Sequence, residues 1–161
     1  MLLISGELDL AMGGSLIRAG TKNDYNYAHE SNRRSIYQPV FRNSLPDLFE
    51  AFDFADPSTS VGQRTRSTVA PQAMVMTNHP WVMARSQEAA KKYAALAEQL
   101  GVDQTLERLF RDCFGRSPTD GEWTVCREFF AANTASDGLL LEKFNQLIQV
   151  VFGTIDFRYL E

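Results

Sequence analysis

Glu50, Asp53 and Asp56 are the best carboxylate cluster in this chain, and Arg33, Arg34, Arg42, Arg64 and Arg66 surround them in sequence. Two carboxylates can hydrolyse a glycoside when they face each other across a cleft, and alternating oxygen ligands closed by a bidentate acid can hold calcium. The spacing here meets neither requirement. Five guanidinium groups around three acids predict ion pairs that pin the surrounding chain. Any arginine left over could grip a carboxylate, phosphate or sulfate bidentately.

Other chemistries find fewer supports. His29 and His79 are the only histidines and no HExxH spacing surrounds either, so a histidine-based metal site or triad is hard to build. His79 reads as a solvated or backbone-bonded residue in the first turn of a helix. Ser44, Ser58, Ser60 and Ser67 lack a partner histidine or a GxSxG elbow and read as caps and turns. Gly13 and Gly14 follow no buried strand and open no helix with a lysine, which argues against a phosphate cradle. Cys113 and Cys126 lack the spacing of zinc, haem or redox motifs and read as buried thiols acting as small hydrophobes. No cofactor and no metal is expected in this chain.

The composition narrows the partners. Hydrophobic residues form 44% of the 161, and 16 basic against 20 acidic residues give a net charge of -4, an ordinary globular composition without a basic field to attract nucleic acid or anionic lipid. A loose helix-turn-helix around residues 115–119 carries Asp120, Glu122 and Glu128 against Arg127 on its second helix, the wrong balance for reading DNA. No run reaches the roughly 20 apolar residues of a membrane helix, so membrane insertion is not expected.

The elements that must position these residues fall into two unlike halves of one domain. Residues 1–66 are irregular and turn-rich, whereas 68–161 read as successive amphipathic helices. The expected fold is mainly α, a bundle of about five helices beside a loop-rich half. Residues 1–4 are apolar without a cap and lead to Gly6, like the tail of a helix. Ile36, Tyr37, Val40 and Phe41 around Pro39 suggest an edge strand or extended segment, with which residues 24–28 could form a short β-hairpin. Ser44 caps a two-turn helix ending near Asp53. Thr68 caps a short helix over 70–76, and Asn78 with Pro80 opens a long one to Leu100, closed by Gly101. Its stripe of Val82, Ala89, Tyr93, Leu96 and Leu100 should face the core. Asp103 caps the next helix, and Thr119 with Glu122 forms a capping box for the one after. The last long helix starts near Ser136 or Asp137, and Gly153-Thr154 breaks it.

Residues 34–78, RSIYQPVFRNSLPDLFEAFDFADPSTSVGQRTRSTVAPQAMVMTN, resemble the planctomycete family called domain of unknown function 1553. FGRSPTDGEW at 114–123 resembles its inter-helix turn, and VVFGTIDFRYLE at 150–161 resembles its C-terminal end. The resemblance implies the C-terminal portion of a family domain that closes large envelope or exported proteins, with a cytochrome-c-like domain upstream. This chain has no CxxCH, so that haem is not expected here. The family brings no established activity. The positions that fit its pattern, Arg34, Arg42, Asn43, Asp53, Asp56, Arg64, Thr68, Gln72 and Asn78, are the candidate binding residues. The leading expectation is a non-catalytic structural or interaction module. It would pack against the remainder of a parent protein or self-associate through an exposed apolar patch near residues 1–12. The alternative is a carbohydrate- or anion-binding or hydrolytic site built from Asp53, Asp56 and the neighbouring arginines.

Overall fold

Among the residues that the structure describes, helical periodicity in the sequence is realised as eight α-helices: α1 Leu2–Ser5, α2 Asp47–Ala51, α3 Val69–Asn78, α4 Pro80–Leu100, α5 Val102–Phe114, α6 Asp120–Ala131, α7 Leu139–Gly153 and α8 Ile155–Arg158. The structure is a computed structural model, and it describes residues 1–17, 19–22, 27, 29–42, 44–55, 57–60, 62, 69–132 and 139–159. Among these residues there is no strand, only two isolated bridges, Asp9 with Arg33 and Phe41 with Ser44. The fold is mainly α, as expected. The chain forms two compact units, Met1–Gly6 with Met76–Glu161, and Glu7–Val75.

In the first unit, α4 packs on α7, α5 and α1. Its buried face is mostly small, with Ser86, Ala89, Ala90, Ala94 and Ala97 beside Val82 and Tyr93. Short side chains let neighbouring helices approach, and the bulk filling the core comes from Leu106, Leu109 and Phe110 of α5 and Phe144, Ile148 and Phe152 of α7. Each such side chain stabilises the fold by roughly 1.5–3 kcal/mol through burial. The expected stripe on α4 holds at Val82, Ala89 and Tyr93, but Leu96 is half-buried and Leu100 is exposed.

Several buried polar groups in this unit have partners close by. The Ser86 hydroxyl lies 2.8 Å from the Met83 carbonyl and 3.0 Å from Asn145 Oδ1, tying α4 to α7. Tyr93 donates to Asp112 Oδ2 at 2.7 Å, and Arg108 holds the same carboxylate from the solvent side at 3.0 Å. Lys143 is buried on α7, where its ammonium donates to the carbonyls of Phe130 at 2.8 Å and of Ala132. These are acceptors that a helix end leaves without intrahelical donors, so Lys143 closes the C-terminus of α6.

The helix starts show where residue type alone misleads. The cap of α4 is His79 and not Asn78, because His79 has extended backbone geometry and its Nδ1 accepts from Trp81 N at 3.1 Å. The cap of α5 is Gly101, which leaves Asp103 in the first turn, where its charge suits the helix dipole. The cap of α2 is Pro46, not Ser44, and no side chain bonds there. The capping box of α6 is present as expected: Thr119 N donates to Glu122 Oε2 at 2.7 Å, and the Thr119 side chain accepts from Glu122 N. Thr154 caps α8 after the break at Gly153. Thr68, Ser136 and Asp137 lie outside the described residues.

In the second unit the run around Pro39 departs from expectation. Ser35–Tyr37 is a 3-10 turn, closed by Tyr37 N on the Arg34 carbonyl at 2.9 Å, and the backbone becomes extended only from Gln38. A local i to i+3 bond satisfies the backbone without a strand partner. Of the segment expected to pair with it, residues 24–26 and 28 lie outside the described residues.

Candidate functional site

A chain without a sheet or long helix has carbonyls to satisfy by other means, and in the second unit Arg33 satisfies two of them. Arg33 is buried, with 8% of its surface exposed. Its Nε donates to the Ala11 carbonyl at 3.0 Å, and its Nη2 donates to the carbonyls of Ala11 and Gly13, both at 2.6 Å. The Tyr37 ring covers its guanidinium at 4.6 Å. The backbone adds to this clasp, since Asp9 N donates to the Asn32 carbonyl at 3.1 Å. Gly13 and Gly14, at φ 75° and 76°, turn the segment in the left-handed region that side chains disfavour. Arg33 Nε and Nη2 thus pair with backbone oxygens. A guanidinium has five donors and no acceptor, so clustered carbonyls suit it as well as a carboxylate does.

The consequence is a loop held from beneath with its apolar residues outside. On either side of the gripped Ala11, Leu10 is 66% and Met12 79% exposed. Ile36, beside the 3-10 turn, is 83% exposed. Nearby rings supply a small apolar cluster: Tyr27 meets His29 and Phe41 at centroid distances of 5.0 Å each, and its hydroxyl donates to the Leu16 carbonyl at 2.6 Å. Both ring nitrogens of His29 are buried with no hydrogen-bond partner.

Arg34 is exposed and lies over Tyr37, with its Nη2 3.4 Å from the phenol oxygen. Arg42 is exposed, and Gln72 is buried on α3. Asp53 follows α2 with φ 54°, a left-handed conformation that aspartate tolerates better than most residues. Asn78 belongs to the first unit, where its Nδ2 donates to Thr77 Oγ1 at 3.0 Å. Asn43, Asp56 and Arg64 lie outside the described residues. Sequence reasoning included Arg33 in the arginine set and expected acids as its partners, whereas its Nε and Nη2 donate to carbonyls. The available signal was the Gly13-Gly14 turn, which bends carbonyls toward a nearby donor.

The first unit carries a separate feature, a surface groove of about 510 Å³ along α5, between Leu100 and α6. Trp123 and Leu100 provide its apolar surface, and Asp103, Glu107, Arg108, Arg111 and Arg127 provide charge. Arg127 stacks on the Trp123 ring at 4.6 Å and pairs with Asp103 at 2.8 Å, while Arg111 pairs with Glu107 at 2.8 Å. Neither cysteine offers a nucleophile at neutral pH. Burial pushes the Cys113 thiol up to about 12 and also raises Cys126.

Among the described residues no group of three His, Cys, Asp or Glu side chains could hold a metal, and no helix is long and apolar enough to cross a membrane. No curated protein and no solved structure matches the chain. The model of one family, described as PSD1, protein of unknown function (DUF1553), matches residues 1–130. The stretches at 34–78 and 114–123 fall inside that match, and 150–161 falls outside it.

Proposed function

From the premise that the chain belongs to the DUF1553 family, we propose that it serves as a non-catalytic interaction module of a larger envelope or exported protein of the planctomycete type, one with a cytochrome-c-like domain upstream. The observation that carries this reading is the loop clasped by Arg33, which spends a buried cation on presenting Leu10 and Met12 to solvent. Such residues are ordinary singly, but held rigidly side by side they favour coverage by another protein surface. A pre-ordered loop also loses less conformational entropy when it is covered. In the parent protein the covering surface is the remainder of that protein; in the isolated chain it is a second copy. The arginine closest to this loop is committed to carbonyls, which removes it from any anion site.

Sedimentation of the chain alone checks this. The wild type should associate at high concentration, more strongly in sulfate salts, which favour apolar burial. Leu10→Ser/Met12→Ser should abolish that salt-promoted association while leaving the helical signal intact. Association that the double variant leaves unchanged would remove Leu10 and Met12 from the interface.

A further inference from the structure

From Asp9 to Met12 the backbone runs without a bend, and its hydrogen bonds fall on alternate residues. Asp9 N donates to the Asn32 carbonyl at 3.1 Å within a parallel bridge to Arg33, and the Ala11 carbonyl accepts from the Arg33 side chain. The Ala11 N–H is engaged as well, on Asp9 Oδ1 at 2.8 Å. Among the described residues no hydrogen bond engages the backbone of Leu10 or Met12. Successive residues of an extended chain turn their N–H and C=O groups to opposite edges, so this run has one edge tied to the protein and the other open. We propose that the open edge takes the same run of a second copy of the chain as an antiparallel strand, about a twofold axis at Ala11.

The pairing presupposes that Leu10 and Met12 form the interaction surface, and it specifies the main-chain bonds that secure it. An open strand edge is satisfied by another extended main chain, which offers donors and acceptors at the same spacing. The residues favour a second copy as that chain. Leu10 falls opposite Met12 of the other copy, where the two exchange both main-chain bonds and cover each other's exposed side chains, 66% and 79% accessible. Ala11, small and exposed, meets its own counterpart. Asp9, the one charge in the run, falls opposite Gly13, which has no side chain to oppose it and whose φ of 75° ends the strand. A parallel pairing in register would instead set Asp9 beside Asp9. Because the twofold arrangement uses the open edge of both copies, assembly closes at a dimer.

The wild-type chain tests this without substitution. In sulfate, at concentrations where sedimentation shows association, amide exchange at Leu10 and Met12 should slow about tenfold relative to dilute chain, since each N–H gains its bond only in the pair. Isotope-filtered NMR on an equimolar mixture of labelled and unlabelled chain should place Ala11 Hα against Ala11 Hα of the other copy. That contact belongs to a non-hydrogen-bonded antiparallel pair, whose Cα atoms lie about 4.5 Å apart. Association that Leu10→Ser/Met12→Ser abolishes, yet that brings neither slowed exchange nor the Ala11 contact, would overturn strand pairing and leave the interaction surface standing. A wild type that never associates, or an association the double variant leaves unchanged, would remove both.

Discussion

The two units solve the same problem in opposite ways. In the first, helices satisfy their own backbones, which frees side chains such as Phe144, Ile148 and Leu109 to form an apolar core. In the second, between residues 9 and 38, side chains complete the backbone bonding: Arg33, Gln38 and Tyr27 all donate to main-chain carbonyls, while Leu10, Met12 and Ile36 face water. The contrast teaches that an irregular segment uses its polar side chains internally and so leaves apolar ones outside. It also explains why arginine-rich loops imitate binding sites in sequence. A guanidinium turned onto the protein's own carbonyls and one waiting for a ligand have the same letter.

Three substitutions can break or sharpen that contrast. The largest effect should come from Phe144→Ala, which empties a fully buried position and should cost about 3–5 kcal/mol in denaturant unfolding of the helical unit. Arg33→Met should come next. It takes the donor from the carbonyls of Ala11 and Gly13, which belong to exposed residues that water can reach, so the cost should stay at about 1 kcal/mol for each hydrogen bond lost. Amide exchange should speed up over residues 9–14 and hardly change in α4 and α7. Equal acceleration in both units would mean that they are not separately held.

The smallest effect concerns pH. The Arg116 guanidinium, pairing with Glu122 at 2.7 Å, holds its carboxyl down to about 2, with further help from Thr119. A carboxylate depressed on folding stabilises the native state above its ordinary value near 4.5, and that contribution fades as pH falls through the folded value. Glu122→Gln should therefore be less stable than wild type at neutral pH, and the two should converge as pH drops from about 4.5 to 2. A gap that stays constant over that window would assign the effect to shape and not to charge.

The fold was mostly legible because period 3.6 is a strong signal in long helices. Gly6, Gly115 and the Thr119–Glu122 box marked ends whose chemistry is local. Caps were less legible where two acceptable residues competed. Asn78 and His79 can both accept a backbone N–H, and only the extended geometry of His79 decides between them. Leu100 shows a different limit, since apolar spacing places it on the α4 stripe although it is exposed at the helix end. The candidate site was least legible. Whether Arg33 meets a carboxylate or a carbonyl depends on where distant loops run, and the Ala11 carbonyl lies 22 residues away in sequence.

Lys143 has a bearing on how α6 and α7 of this chain stay aligned. By fastening the end of α6 from within α7, it makes the alignment of those two helices independent of the peptide that joins them. Removing that ammonium, as in Lys143→Met, would therefore loosen the meeting of α6 and α7 first at the end of α6, where the Phe130 carbonyl would lose its donor.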